Sequence, residues 1–97
     1  MVGNYCYVVY DVPDDRLRTK VADVLKDFGL ERLQKSVFFG RLTRNKVEEL
    51  CLVLDDLIGS KEADVRIIFV PPSFVDKVII VRAMYDFKAF EREVIVA

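Results

Sequence analysis

Residues 5–12 read YCYVVYDV and are followed at once by Pro13, Asp14 and Asp15. Aromatic and β-branched side chains dominate this stretch, and proline cannot donate a hydrogen bond to a sheet, so a β-strand that ends at Pro13 is predicted. Asp14 is well placed to cap a helix, because its short side chain can accept a hydrogen bond from the first turn. The stretch therefore predicts a strand that passes directly into a helix.

Two amphipathic helices are predicted from the spacing of apolar side chains. Between residues 14 and 28 these recur every three or four positions, and Gly29 follows as a typical C-terminal glycine. Thr43 is placed to cap a second helix that ends at Gly59. The two apolar stripes consist of Leu17, Val21, Val24, Leu25 and Phe28, and of Val47, Leu50, Cys51, Leu54, Leu57 and Ile58. Each helix is therefore expected to bury one face against a sheet.

The remaining strands are predicted from segments rich in apolar and β-branched residues. They cover residues 33–42, 65–70, 77–82 and 93–96. Two helices alternating with strands that can pair antiparallel predict an α+β fold, a ferredoxin-like βαββαβ sandwich with two helices on one face of an antiparallel sheet. The whole chain, residues 1–97, is expected to form a single domain.

Two segments fit more than one structure. Residues 31–42 are long enough to bend or bulge at Gly40, which would hide a strand pairing, or to form one strand. Residues 83–90 fit either a helical turn or a loop, because the apolar residues in them are spaced by three. The βαββαβ order requires the hidden pairing in the first of these segments.

The first strand is apolar on both faces. Tyr5, Tyr7 and Val9 point to one face, and Cys6, Val8 and Tyr10 point to the other. A sheet with helices on one side ordinarily alternates apolar and polar residues, so we expect something to cover the second face. We infer a sheet-to-sheet homodimer, which suits a chain short enough to gain from extra burial. The alternative is a C-terminal segment that folds back over that face.

Composition narrows the classes of function. The chain has 15 Lys and Arg against 16 Asp and Glu, no histidine, and two cysteines, Cys6 and Cys51. The lack of histidine excludes histidine-based acid–base catalysis and zinc sites that need an imidazole. The two cysteines form no disulfide or metal-binding motif and are interpreted as small buried residues. With no membrane-span or secretion-signal pattern, a cytoplasmic protein without membrane contact is expected.

Charge is unevenly spread along the chain. Residues 16–46 hold nine Lys or Arg and three acids, whereas residues 47–64 hold six acids and one Lys. The basic segment can contact nucleic-acid phosphates although the net charge of the chain is −1. A solvated helix face explains the same charges equally well.

Several short motifs carry a resemblance to a known family. They are Tyr10 and Asp11 at the strand end, Asp14, Asp15, Arg16 and Arg18 at the helix start, QKSVF at residues 34–38, and Val65, Arg66 and Ile67. With these motifs at this spacing, the chain from residue 5 to about residue 81 resembles the small CRISPR-associated endoribonuclease family. Members of that family form the dimeric subunit of the spacer-acquisition complex.

The resemblance implies a twofold dimer of ferredoxin-like subunits, in which the last strand joins the partner's sheet. It also implies a divalent metal, Mg²⁺ or Mn²⁺, near Asp11, a CRISPR integrase subunit as partner, and RNA or DNA as ligand. The resemblance also implies functional roles for four further residues, Tyr10, Arg16, Arg18 and Phe38. One departure is visible, because the family commonly has an acidic residue after the SVF motif, where this chain has Phe39 and Gly40.

Asp11 is the candidate catalytic and metal-binding residue. Mg²⁺ keeps several waters and needs only one or two carboxylates plus a substrate phosphate, so two Asp11 side chains facing across a dimer axis would make a site. The metal would assist hydrolysis of a phosphodiester, while Arg16 and Arg18 position the phosphates. Asp14 and Asp15 are candidate outer groups, although Asp14 is better explained as the helix cap.

Each candidate also has a plain structural interpretation. Asp11 can form a turn or a cap at the junction between strand and helix. Tyr10 and Phe38 can be an ordinary sheet residue and an ordinary core residue, and Arg16 and Arg18 can be solvated.

Four functions are consistent with these residues. The first is a metal-dependent endonuclease, an endoribonuclease by resemblance, in which Asp11 is essential. The second is a non-catalytic dimeric adaptor that bridges integrase subunits and binds duplex DNA at its basic edges. The third is an RNA-binding module that stacks bases on Tyr5 and Tyr7, and the fourth is a toxin-type ribonuclease of related fold.

Overall fold

The strand-to-helix unit forms as predicted in the computed structural model, which describes residues 3–85 and 95–96. Strand β1 covers Asn4–Asp11 and helix α1 covers Asp15–Asp27. Asp14 caps the helix, since its Oδ1 accepts a hydrogen bond of 2.8 Å from a backbone N–H in the first turn. This hydrogen bond holds the pKa of Asp14 below its ordinary value, so the capping carboxylate stays charged.

The second helix and both helix ends also follow the prediction. Helix α2 covers Arg44–Ile58, and the hydroxyl of Thr43 accepts a hydrogen bond of 3.2 Å from the N–H of Lys46. Gly29 and Gly59, which follow the two helices, have φ values of 86° and 57°, where glycine is favoured. Within the described residues, no helix combines the length and apolar character needed to cross a bilayer.

Residues 31–42 form a hairpin. Strand β2 covers Glu31–Gln34 and strand β3 covers Val37–Leu42, and the two pair antiparallel. The strand pairing required by the βαββαβ order is therefore present. The predictions of a bend at Gly40, or of one continuous strand, were wrong.

The hairpin turns at Lys35 and Ser36 because Tyr10 holds both residues. The backbone N–H of Tyr10 donates to the carbonyl of Ser36 at 3.1 Å, and its hydroxyl donates to the carbonyl of Lys35 at 3.2 Å. Gly40 instead lies inside β3, where an added Cβ atom would stand 2.6 Å from Cδ2 of Leu30. The absence of a side chain at this glycine therefore serves close packing and not a turn.

The remaining elements are β4 (Asp64–Val70), a 3₁₀ turn (Pro72–Phe74), β5 (Ile79–Ile80) and β6 (Ile95–Val96). β5 and β6 pair in parallel, and the strand predicted at residues 77–82 is shorter than expected. The predictions for residues 86–94, which include most of the ambiguous segment and the start of the last strand, lie outside the described residues. Addition of the last strand to a partner's sheet stays a prediction.

The four longer strands form one antiparallel sheet in the order β2-β3-β1-β4. Both helices pack on the same face of this sheet, so the ferredoxin-like arrangement is confirmed. The core between them contains Cys6, Val8, Tyr10, Val12 and Phe38 from the sheet side, Leu17, Val21, Ala22 and Leu25 from α1, and Leu50 and Leu54 from α2.

The other face of the sheet, here called the open sheet face, is apolar and partly covered. Its apolar cluster consists of Phe39 and Val75, with Tyr5, Tyr7, Leu33 and Val70 packed against them. Since Val75 comes from the segment after β4, the C-terminal part of the chain covers some of this face, as the alternative interpretation held. Ile68 remains 51% exposed and Val9 36% exposed, which leaves an apolar surface beside Asp11.

The two cysteines lie in different environments. Cys6 is buried, and its burial raises the pKa of the thiol to about 11, so the thiol stays protonated and unreactive. Cys51 is exposed on α2, and the prediction that it is buried was wrong.

Candidate metal and nucleic-acid site

Asp11 is the last residue of β1 and is exposed on the open sheet face. Strand alternation places its side chain on the same face as Tyr7 and Val9. Its register partner is Asp64, the first residue of β4. Among the described residues, no group donates a hydrogen bond to the Asp11 carboxylate or pairs with it.

The neighbouring carboxylates all have partners. These partners are the N–H of Leu17 for Asp14, the guanidinium of Arg18 for Asp15, and the guanidinium of Arg66 for Asp64. Because Asp14 caps α1, Asp11 does not fill the capping role that was its structural alternative. The Asp11 oxygens are therefore available to a ligand.

Arg66 clamps Asp64 directly across the strand pair from Asp11. Its Nε lies 2.8 Å from Oδ1 of Asp64, and its Nη2 lies 3.0 Å from Oδ2. This bidentate contact lowers the pKa of Asp64 and raises the pKa of Arg66, so both stay charged. Sequence reasoning did not assign this pair to the site, although opposite charges two positions apart on a strand were a visible signal.

The two arginines at the start of α1 have different surroundings. Arg18 donates from Nη1 to the carbonyl of Val12 at 2.9 Å and pairs with Asp15, so it ties the strand end to the helix. Arg16 is exposed and has no ion pair with any described residue. Its free charge lies at a helix N-terminus, where the helix dipole also attracts anions.

Tyr10 and Phe38 lie in the core under the site. Tyr10 is 4% exposed, Phe38 is fully buried, and their ring centroids are 6.2 Å apart. Buried on the helix side of the sheet, neither ring can stack on a base. Both therefore support the strand end, and Tyr10 does so through the turn at Lys35 and Ser36.

A small groove that sequence reasoning did not single out lies at the start of α2. A cavity of about 330 Å³ is lined by the bases Arg41 and Lys46, the acids Asp27 and Glu49, and Thr43. The Arg41 guanidinium lies 4.8 Å from the ring centroid of Tyr5 and donates to its hydroxyl at 2.8 Å. The two acids balance the two bases, and Nζ of Lys46 already lies 3.2 Å from Oε1 of Glu49, so this groove offers a phosphate no net positive charge. The closely spaced cations at residues 41–46 were the available signal.

The donor atoms near Asp11 match a divalent cation. Within residues 3–85 and 95–96, no three Cys, Asp or Glu side chains come together, so one subunit does not enclose a metal. The Asp11 carboxylate offers hard, solvent-accessible oxygens, which Mg²⁺ and Mn²⁺ prefer, and these ions need few protein ligands. Asp64 is less available, because Arg66 already holds both of its oxygens.

The fold and these residues define a class of small α+β proteins, in which a ferredoxin-like sheet presents an exposed strand-end aspartate beside a basic helix start. The family model for the CRISPR associated protein Cas2 matches residues 4–78. The chain belongs to the Cas2 family, and the resemblance predicted from its motifs is confirmed.

Individual relatives agree with this assignment. The CRISPR-associated endoribonuclease Cas2 2 of Pyrobaculum aerophilum is 40% identical over 75 residues, which are 77% of this chain and 82% of the relative. A CRISPR-associated endonuclease Cas1/endonuclease Cas2 fusion of Thermoproteus tenax is 39% identical over 72 residues, which are 74% of this chain and 27% of the fused protein. A crystal structure of Cas2 aligns with a TM-score of 0.67 at 27% identity, and the alignment covers 95% of this chain and 98% of the other.

Proposed function

We propose that this protein is a metal-dependent endoribonuclease of CRISPR antiviral defence that takes part in spacer acquisition. One observation carries the proposal: among the described acidic residues around the strand end, Asp11 keeps a free carboxylate, exposed on the open sheet face. The similar protein of Pyrobaculum, a CRISPR-associated endoribonuclease by name, supports the reaction class. The chain acts as a single cytoplasmic domain.

Each candidate residue has a distinct task in this proposal. Asp11 holds Mg²⁺ or Mn²⁺ through its carboxylate oxygens. When bound, the ion neutralises negative charge that develops on the phosphodiester during hydrolysis. Arg16 binds a neighbouring phosphate with charge-assisted hydrogen bonds. Arg18 fixes the strand end to α1, and Tyr10 and Phe38 support it from the core.

Two subunits together complete the metal site. A twofold contact through the open sheet face would bury the exposed Val9 and Ile68, and in such a contact a residue near the axis meets its own copy. Two Asp11 carboxylates can then share one cation, which supplies the second protein ligand that a single subunit lacks. The clamp of Arg66 on Asp64 limits the negative charge beside this pair.

A non-catalytic adaptor is the second candidate function. In this role the dimer bridges two copies of the CRISPR integrase subunit, Cas1, and holds duplex DNA on its basic surfaces. The Thermoproteus relative favours the partner, because its name joins Cas1 and Cas2 in one chain. The exposed guanidinium groups of Arg16 and Arg41 offer phosphate contacts for DNA.

Base stacking on Tyr5 and Tyr7 receives no support from their environment. The centroid of the Phe39 ring lies 5.8 Å from that of Tyr5 and 4.7 Å from that of Tyr7, so both tyrosine rings pack on Phe39. Membership of the Cas2 family also favours a CRISPR role over a toxin-type ribonuclease.

Metal removal tests the proposed function. We expect labelled single-stranded RNA to be cleaved in the presence of Mg²⁺ or Mn²⁺, to survive in the presence of EDTA, and to be cleaved again when the metal is restored. Duplex DNA is assayed in parallel to define the substrate. Cleavage that continues in EDTA would contradict the metal dependence, whereas intact DNA binding without cleavage under any metal would favour the adaptor.

A further inference from the structure

A second carboxylate lies directly opposite Asp11. Asp11 and Asp64 are register partners in the antiparallel pair of β1 and β4, so their side chains point to the same face of the sheet. Side chains opposed in this way have Cβ atoms about 5 Å apart. Both residues are exposed. Two carboxylates at that separation are close enough to bind one divalent cation together, and Mg²⁺ or Mn²⁺ needs no more protein ligands than this.

Arg66 occupies the second of these carboxylates. Its guanidinium reaches both oxygens of Asp64, at 2.8 Å and 3.0 Å. Since Arg66 follows Asp64 by two positions on the same strand, it also lies on the face that carries Asp11. One negative charge of the opposed pair is therefore neutralised, and the oxygens that would bind a metal are bound to an arginine.

The contact between Arg66 and Asp64 adds little to the stability of the fold. Their side chains are 73% and 51% exposed, and exposed ion pairs contribute little to the free energy of unfolding. Arg66 also relieves the repulsion between two like charges on paired strands, which is its simplest structural role. That role and a role in metal binding predict different results, because only the second changes how many ions are bound.

We propose that Arg66 sets the stoichiometry of metal binding by withholding Asp64 from the ion, an inference that rests on the shared Asp11 site of the proposed function. With Asp64 held, the described strand end of one chain offers a metal only the carboxylate of Asp11. The second protein ligand then comes from Asp11 of a second subunit. Metal binding, and with it cleavage, is therefore coupled to assembly of the dimer. Arg66 is a positioning residue, since it acts through Asp64 and not on the metal or the phosphodiester.

The experiment combines calorimetric titration of Mn²⁺ with light scattering on the purified metal-free protein. The wild type should bind one Mn²⁺ per two chains. Arg66→Gln releases Asp64, so one Mn²⁺ per chain is expected, held by Asp11 and Asp64. Affinity should rise about tenfold or more, because one neighbouring charge changes an ionic equilibrium by at least that factor. In the double variant Asp64→Asn, Arg66→Gln the stoichiometry should return to one ion per two chains, and every variant should keep the dimer mass.

Arg41→Gln is the matched control. Arg41 is exposed on the same face as Asp11, but it is in register with Tyr5, which lies about 20 Å from Asp11 along β1 at the rise of a β-strand. Its substitution removes the same charge at the far end of the open sheet face. Arg41→Gln should therefore bind Mn²⁺ with the stoichiometry and affinity of the wild type.

The outcomes separate this inference from the proposed function. Wild-type stoichiometry and affinity in Arg66→Gln, even with a lower thermal midpoint, would leave Arg66 its structural role alone and overturn the inference. One Mn²⁺ per chain in the wild type, lost in Asp64→Asn, would also overturn it, because Asp64 would then bind the ion despite Arg66. A wild type without Mn²⁺ binding would overturn the shared Asp11 site. In that case one ion per chain in Arg66→Gln would still support the withholding of Asp64, and no binding in Arg66→Gln would overturn it as well.

Discussion

Asp11→Asn is expected to abolish RNA cleavage and to leave the fold intact. Asparagine keeps the shape of the side chain but removes its charge and replaces one carboxylate oxygen with an NH₂ group, which donates hydrogen bonds and does not bind a metal. Changes to outer groups that only orient metal ligands already cost 10- to 100-fold, so loss of a direct ligand should slow cleavage by about a hundredfold or more. The thermal midpoint should not fall, because no described residue pairs with this carboxylate. In a metal-free dimer it could rise, since two facing charges no longer repel.

Asp23→Asn is the matched control for this variant. Asp23 is exposed on α1, away from the open sheet face, so its substitution removes the same charge without touching the metal site. It should cleave at the wild-type rate. Cleavage by Asp11→Asn at the wild-type rate would show that the reaction uses another site or comes from a contaminant.

Ile68→Asp is expected to prevent formation of the proposed dimer. Ile68 is 51% exposed on the open sheet face, in register with Tyr7, so a dimer through this face buries it. An unpaired charge buried there would cost about 3 kcal/mol, which corresponds to a dissociation constant raised about a hundredfold. Light scattering should give the wild type a mass near twice 11.2 kDa and shift the variant toward 11.2 kDa. Cleavage should be lost with the dimer.

Leu52→Asp provides the comparison, because it places the same charge on the outer face of α2. Leu52 is 72% exposed and lies on the helix side of the sheet, so its substitution should leave the dimer mass unchanged. A wild type that remains monomeric at micromolar concentration would contradict both the dimer and the shared metal site.

Local signals predicted the helices well. Asp14 and Thr43 cap the two helices, and Gly29 and Gly59 follow their ends, as the residue types indicate. Each of these signals acts within a few residues of the helix end it specifies. Sequence alone therefore locates both helices and, with the strands between them, gives the fold class.

The hairpin turn was missed because its cause is distant in the sequence. Lys35 and Ser36 have no glycine or proline to mark a turn, and the hydrogen bond from the Tyr10 hydroxyl comes from 25 residues away. Gly40, the residue that did suggest a bend, lies inside β3 where the side chain of Leu30 approaches it closely. Propensity cannot anticipate either contact, because both depend on how strands pack.

The candidate site was likewise predicted only in part from the sequence. Asp11 and Arg16 were predicted from motifs that lie close together in the sequence. The contact of Arg66 with Asp64 belongs to the site only because the register of β4 with β1 places Asp64 opposite Asp11. The motifs group Tyr10 with Arg16, but the structure shows that the two side chains differ in solvent exposure. Arg16 is free in solvent, whereas Tyr10 lies in the core.

Calorimetric titration of Mn²⁺ into the metal-free protein tests the shared Asp11 site most directly. Two Asp11 carboxylates that share one ion predict a stoichiometry of one Mn²⁺ per two chains, and Asp11→Asn should abolish this binding. Binding of one Mn²⁺ per chain, with the same affinity in Asp11→Asn as in the wild type, would contradict the account.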